Sequence, residues 1–298
     1  KLVVERERDI DAFKPIEYWN VEALLKDGEK AFTANLYAVE GKRIEKELQE
    51  GKDVYLVDTE KKADEVEALL RHTEYNVTNV ERKEKRRNPV PPFITSTLQQ
   101  EASRHFGFSA TKTMSLAQGL YEGIDMKNEG QEGIITYMRT DSVRIAPEAV
   151  QELREFIVQT YGDTFLEEAI RVFPTKKSAQ DAHEGIRPTN MQHPPDVVKA
   201  FLSHDQFLLY SLIWKRFIAS QMKPAVYNTV AATVLTDNDI TLRATGSELK
   251  FQGFLVVYEE KGDEDKVDIE EDKMLPFLEK GMTLNLLDVN TDQPFTRP

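Results

Sequence analysis

Gly133-Ile134-Ile135-Thr136-Tyr137-Met138-Arg139-Thr140-Asp141-Ser142 is the stretch around which the rest of the chain is organised. Two isoleucines lead into a cluster made almost wholly of functional groups. Tyr137 offers a phenolic oxygen, a candidate nucleophile. Arg139 carries a permanent planar cation whose fork fits a phosphate. Asp141 and Ser142 accept hydrogen bonds and can orient their neighbours. In an extended segment residues 137, 139 and 141 point to one side. Tyr, Arg and Asp on one face suit attack on a phosphodiester. The same residues also fit a strand end and a turn, with Pro147 opening the next helix, so the spacing alone leaves both readings open.

Downstream, Val150, Leu153, Ile157 and Tyr161 make an apolar stripe on the helix that Pro147 opens. A polar loop follows, Phe173 to Asn190, carrying Gln180, His183, Glu184 and Arg187. If it folds over Tyr137, the site holds a nucleophile, two phosphate donors (Arg139 and Arg187) and an orienting carboxylate. Ser203 and Gln206 have capping-box spacing. The helix beyond them, through Phe207, Leu212, Trp214, Phe217 and Ile218, is apolar nearly all round and should be buried.

Upstream, Asn88-Pro89-Val90-Pro91-Pro92 breaks any regular element. Ser96 and Gln99 have capping-box spacing for a helix that runs to Phe106, with Gly107 at its end. Ser109 can cap a second helix, on which Met114, Ala117 and Tyr121 fall on one side. Helix, tight glycine turn, helix is the arrangement of a helix-turn-helix and equally of an ordinary helical hairpin.

The flanks have a different texture. Tyr18 to Val21 and Ala31 to Tyr37 read as strands joined across an Asp27-Gly28 turn. Thr59 to Arg71 has helical spacing, and Tyr75 to Glu84 alternates as a strand does. Tyr227 to Thr236 and Ile240 to Thr245 form a second hairpin across Asp237-Asn238-Asp239. Thr283 to Val289 is a further strand. The fold class expected is therefore α+β and multi-domain: a strand-rich domain interrupted by a mainly helical one. The expected boundaries are 1–15 for the end of a helical domain, 16–87 with 224–254 for the strand-rich domain, 88–223 for the helical insertion, and 255–298 for an acidic loop and a return strand. Paired chain crossings at the insertion could serve as a hinge.

Composition narrows the function. With 40% hydrophobic and 31% charged residues the chain reads as soluble and globular. No apolar run approaches the length that crosses a bilayer. With no cysteine there is no disulfide and no thiolate zinc site, which fits the cytoplasm. The net charge of −13 argues at first against a nucleic-acid partner. Much of it sits in Glu259 to Lys273, which holds nine acids and three lysines. Basic residues gather elsewhere, at Arg82-Lys83-Glu84-Lys85-Arg86-Arg87 and Lys176-Lys177, and a local basic groove is what DNA requires. There is no P-loop, no dinucleotide fingerprint and no His-Glu-x-x-His. Neither end of the chain looks like a natural terminus, so an excised piece of a larger protein is expected.

Several segments together resemble the bacterial type IA DNA topoisomerases. Ile135-Thr136-Tyr137-Met138-Arg139-Thr140-Asp141-Ser142 is similar to that family's active-site signature. Leu2 to Glu7 looks like the helix before the arch, and Pro92 to Gln100 like the start of the tyrosine-bearing domain. Ala182-His183-Glu184-Gly185-Ile186-Arg187-Pro188-Thr189 looks like that domain's loop, with Gly185 where Ala is also familiar. Phe295-Thr296-Arg297-Pro298 is similar to the motif just after the arch. The resemblance implies an ATP-independent isomerase that relaxes negative supercoils. Tyr137 would attack one strand and become joined to its 5′ phosphate, and a second strand would pass through the break. Arg139 would steady the scissile phosphate. Asp141, Thr140, His183, Glu184, Arg187 and Gln180 would bind DNA or support the site. Single-stranded DNA is the implied partner. The implied cofactor is Mg2+, held by an N-terminal TOPRIM domain that this sequence does not contain. The chain itself is expected to hold no metal and, alone, to be inactive.

Two other readings use the same residues. Tyrosine recombinases also combine Tyr, His and Arg, but there the tyrosine follows the basic residues, whereas Tyr137 precedes His183 and Arg187. A non-catalytic helix-turn-helix module would bind duplex DNA and form no covalent adduct.

Overall fold

The computed structural model describes residues 1–28, 30–48, 51–126, 130–174, 183–260, 274–294 and 296. Gln180, Lys176-Lys177, most of the acidic run, and Phe295, Arg297 and Pro298 lie outside the described residues. In chain order the elements are α1 (Leu2–Ala12), β1 (Asn20–Asp27), β2 (Lys30–Val39), β3 (Lys42–Ile44), β4 (Val54–Tyr55), α2 (Glu60–Arg71) and β5 (Tyr75–Arg87). Then come α3 (Thr95–Phe106), α4 (Ala110–Glu122), β6 (Ile124–Asp125), β7 (Gln131–Glu132), α5 (Pro147–Tyr161), α6 (Pro195–Val198) and α7 (His204–Ser220). Last are β8 (Ala225–Thr236), β9 (Ile240–Phe251) and β10 (Thr283–Asp292). The chain forms two compact units. One comprises Lys1–Glu84, Asn228–Glu248 and Ile269–Pro298; the other comprises Lys85–Tyr227 and Leu249–Asp268.

The first unit is built on a sheet ordered β1-β10-β5-β8-β9-β2-β3-β4. β1 also pairs with β2, from Glu22↔Asn35 to Asp27↔Lys30, so six strands close into a ring. Closure pairs β1, which would otherwise be an open edge, while β3 and β4 extend the sheet beyond β2. Alternate residues point inward, as period 2 requires: Val21, Ala23 and Leu25 on β1, Phe32 and Ala34 on β2, Ile240, Leu242 and Ala244 on β9. Alanines beside larger side chains let a small ring fill its interior. α2 lays Ala63, Val66 and Leu70 into the same core, and Thr59 caps it by accepting from the Lys62 N–H. The turns are where the sequence places them. Gly28 takes φ +57 and Asp239 φ +60, the left-handed region that Gly and Asp tolerate.

Tyr75 is buried in this core and donates its hydroxyl hydrogen to the Leu70 carbonyl. Burial pushes its phenol up to about 12. The unfolded chain ionises near the ordinary value of about 10. Tyr75 therefore contributes stability that is complete below about pH 10 and is lost as pH rises towards 12. Burial raises Tyr210 and Tyr258 as well, with the same sign. The melting temperature should fall across this window. Tyr75→Phe should make that fall shallower, and an unchanged slope would remove Tyr75 from the account.

The second unit packs α3, α4 and α7 together, and α7 is buried along most of its length, from Leu209 to Ser220. Its cap is the one expected: Ser203 accepts from the Gln206 N–H and Gln206 accepts from the Ser203 N–H. Arg216, 3% exposed, is fully engaged. Its guanidinium donates to the Pro91 carbonyl, the Tyr258 hydroxyl and Glu260, and lies 4.8 Å from the Phe93 ring centroid. A buried charge is tolerated only with such partners.

Two details of helix placement differ from the sequence reading. α3 begins at Thr95, ahead of the expected Ser96–Gln99 box. The Ile94 N–H donates to Thr97 Oγ1 at 3.0 Å, while Thr95 is called away to another segment. On α4 the buried stripe is Thr113, Ala117 and Leu120, and Tyr121 is exposed at its rim.

Candidate active site

The Tyr137 segment alternates in burial. Met138, Thr140 and Ser142 are inside at 0%, 6% and 1% exposure, and Tyr137, Arg139 and Asp141 are exposed. The backbone is bent at Met138-Arg139, so no regular strand continues past Ile135. What holds it is a set of hydrogen bonds from distant threonines. The Thr95 N–H donates to the Thr140 carbonyl at 3.0 Å, and the Thr140 N–H donates to Thr95 Oγ1 at 2.9 Å. The Thr95 hydroxyl in turn donates to the Met138 carbonyl at 2.8 Å. Arg139 thus stands on a loop clamped from both sides.

The 183–189 loop is laid against the segment by a short antiparallel ladder. The Thr136 N–H donates to the Arg187 carbonyl, the Arg187 N–H to Thr136 Oγ1, and the Thr189 N–H to the Ile134 carbonyl. Ile186 continues the ladder to Phe93, and the Gly185 N–H reaches the Arg144 carbonyl at 2.8 Å. This brings His183 to Tyr137, their ring centroids 5.7 Å apart. On another flank Tyr121 meets Tyr137 edge-on at 5.4 Å. Tyr137 is 39% exposed. No hydrogen-bond partner holds its hydroxyl among the described residues.

The cations divide into two kinds. Arg139 is exposed with no partner among the described residues, and so is Asp141. Arg187 is committed: Nε and Nη2 lie 2.9 and 2.8 Å from Glu184 Oε2, and Nη1 donates to the Pro188 carbonyl. Of the two phosphate donors expected, Arg139 has a guanidinium with no partner among the described residues and Arg187 is spent on the loop's own shape. Thr140 is likewise a buried anchor whose hydroxyl accepts from the Ser142 N–H. Sequence reasoning missed Thr95 and Tyr121. Tyr121 looked like part of a core stripe, and nothing local marks Thr95 as the partner of residue 140. Among the described residues no three His, Cys, Asp or Glu side chains gather as a metal site.

The family profile described as DNA topoisomerase matches residues 1–298. The chain belongs to the bacterial type IA DNA topoisomerase family. Full-length topoisomerase I from Thermotoga maritima is 32% identical, superposes with a TM-score of 0.73, and is matched over 100% of this chain. The match covers 44% of that protein, so the chain spans less than half the length of this topoisomerase relative. Its mixed α and β architecture agrees with that of the relative. Among the described residues no helix is long and apolar enough to cross a membrane.

Proposed function

We propose that the chain is the tyrosine-bearing part of an enzyme that cuts one strand of negatively supercoiled DNA, passes another strand through the break, and reseals it. The observation that carries this is Tyr137: exposed, in contact with the Tyr121 and His183 rings, and two residues from a guanidinium with no partner among the described residues. Tyr137 Oη attacks the phosphorus and the bond to the 3′ oxygen breaks. The 5′ phosphate stays on the tyrosine. The phenol gives up its proton, and the departing 3′ oxygen gains one. A phenol is a better leaving group than a sugar hydroxyl, so attack by the 3′ hydroxyl restores the strand without ATP. Arg139 neutralises charge building on the phosphoryl oxygens. His183 lies against the reacting ring, Asp141 helps to order the site, and the Glu184–Arg187 pair keeps the loop in place. Single-stranded DNA in the cytoplasm is the substrate.

Arg139→Ala should slow cleavage by about 10- to 1000-fold, the usual worth of one transition-state donor. Arg139→Lys should recover only part of it, since the fork is lost. Unchanged cleavage and religation would place Arg139 outside the site.

The function is tested by adding the domain proposed to complete the site. Mixed with negatively supercoiled plasmid and Mg2+, the chain alone should not relax it. Acid–base and metal contributions are each worth roughly 10²–10⁴-fold, and they are proposed to come from the TOPRIM domain. Adding that domain, separately expressed, should restore cleavage. Relaxation by the chain alone would overturn the division of labour, and a full-length enzyme that never nicks DNA would overturn the function.

A further inference from the structure

We propose that Tyr121 is a nucleobase platform, on which the base adjoining the phosphate at Tyr137 stacks, and that it thereby helps choose where a single strand is cut. The proposal rests on the reading of Tyr137 as nucleophile and adds a specificity residue to it.

Single exposed aromatics are ordinary on protein surfaces. Three observations set Tyr121 apart. It is 41% exposed although it belongs to an amphipathic helix, whose core stripe is supplied by Thr113, Ala117 and Leu120 without it. Its ring meets the Tyr137 ring at 5.4 Å and 65°, so it lies one ring's width from the reacting group. Its hydroxyl has no partner among the described residues, so no hydrogen bond accounts for its position.

The ring is also presented rigidly. The Leu120 carbonyl accepts from the Ile134 N–H at 2.9 Å, which ties the end of α4 to the strand leading into Tyr137. Gly133 lies so close that a Cβ there would sit 2.3 Å from the Tyr121 carbonyl oxygen. The two tyrosines therefore keep their spacing. An exposed aromatic beside the path of the backbone is how single-strand binders hold a base, because every base has a π-face. Stacking of this kind is worth about 5- to 150-fold in affinity per base. It discriminates modestly, through stacking strength, and so would shape cleavage-site preference without a strict sequence.

The test uses the full-length enzyme with two readouts. In a Tyr137→Phe background, affinity for a labelled single-stranded oligonucleotide is read by fluorescence anisotropy. In the otherwise native enzyme, trapped adducts are mapped by base. Tyr121→Ala should weaken binding at least 5-fold and flatten the base preference flanking the cut. Tyr121→Phe and Tyr121→Trp should restore both. An abasic residue beside the cut should weaken the parent enzyme and leave Tyr121→Ala unaffected. Unaltered affinity and map for Tyr121→Ala would overturn the platform. Equal losses in Tyr121→Ala and Tyr121→Phe would do so too, by assigning the role to the hydroxyl. Adducts persisting in Tyr137→Phe would sink the nucleophile reading alone, since the affinity measurement needs no cleavage.

Discussion

Tyr137→Phe, placed in a full-length enzyme, should abolish the covalent DNA adduct and leave the fold intact. The substitution removes one oxygen and keeps the ring. The Tyr121 and His183 ring contacts survive it, and such pairs contribute about 0.5–1.5 kcal/mol each. The lost hydroxyl has no partner among the described residues, so no buried group is left unpaired. Melting should shift by no more than a surface change does, about 0.5 kcal/mol. The chemistry is all or nothing, because the segment's other hydroxyls, on Thr136, Thr140 and Ser142, are engaged in hydrogen bonds with the backbone. Denaturant added during cleavage of end-labelled DNA should trap adduct with the parent enzyme and none with the variant. In the parent the link should be to the 5′ phosphate. A 3′ link would point to recombinase-type chemistry, and adduct on the variant would move the nucleophile elsewhere.

Gly133→Ala should damage both the fold and the chemistry although it touches no functional group. Its Cβ would stand 2.3 Å from the Tyr121 carbonyl oxygen, a backbone atom that cannot swing aside. The strand and the end of α4 would have to part by about 1 Å. Overpacking of this kind costs about 1–3 kcal/mol. The Ile134–Leu120 hydrogen bond would be stretched as well, a further loss of about 1 kcal/mol. Because Tyr137 and Tyr121 ride on the two separating pieces, adduct formation should drop by about 10²-fold, the usual effect of a 1 Å misplacement. Gly185→Ala is the control. Its Cβ would meet Pro92 Cβ at 3.0 Å, which a shift of a few tenths of an ångström relieves. Gly133→Ala that melts and forms adduct like the parent would show that the two elements are not tightly coupled.

Much of this architecture is legible residue by residue. Asp27-Gly28 and Asp237-Asn238-Asp239 mark their hairpins because Gly and Asp accept positive φ. The prolines of 88–92 lie between β5 and α3 because proline lacks an N–H and restricts the residue before it. Ser109 caps α4, and Ser203 with Gln206 caps α7, because the first N–H groups of a helix need acceptors. The Ser96–Gln99 box did not form, since Thr97 supplies the local bond and frees Thr95 for the Tyr137 loop. Spacing pointed to Ser96 and Gln99, and Thr95's contact with a residue 45 positions away accompanies the different start.

The sequence by itself determined which residues alternate outward at 137, 139 and 141, where α4 and α7 start, and the family to which the chain belongs. Each depends on neighbours a few positions apart, or on motifs carried whole. Only the tertiary structure decided that β1 and β10 join, pairing Asn20 with Asp292 to help close the ring. Only it laid the 183–189 loop against residues 133–136, spent Arg187 on Glu184, and turned Tyr121 out of the core towards Tyr137. The physical reason is the same in each case. Backbone propensity and periodicity act over one or two turns of chain. Which of several equally apolar faces meets, and which of several cations remains free, is set by packing between segments far apart in sequence.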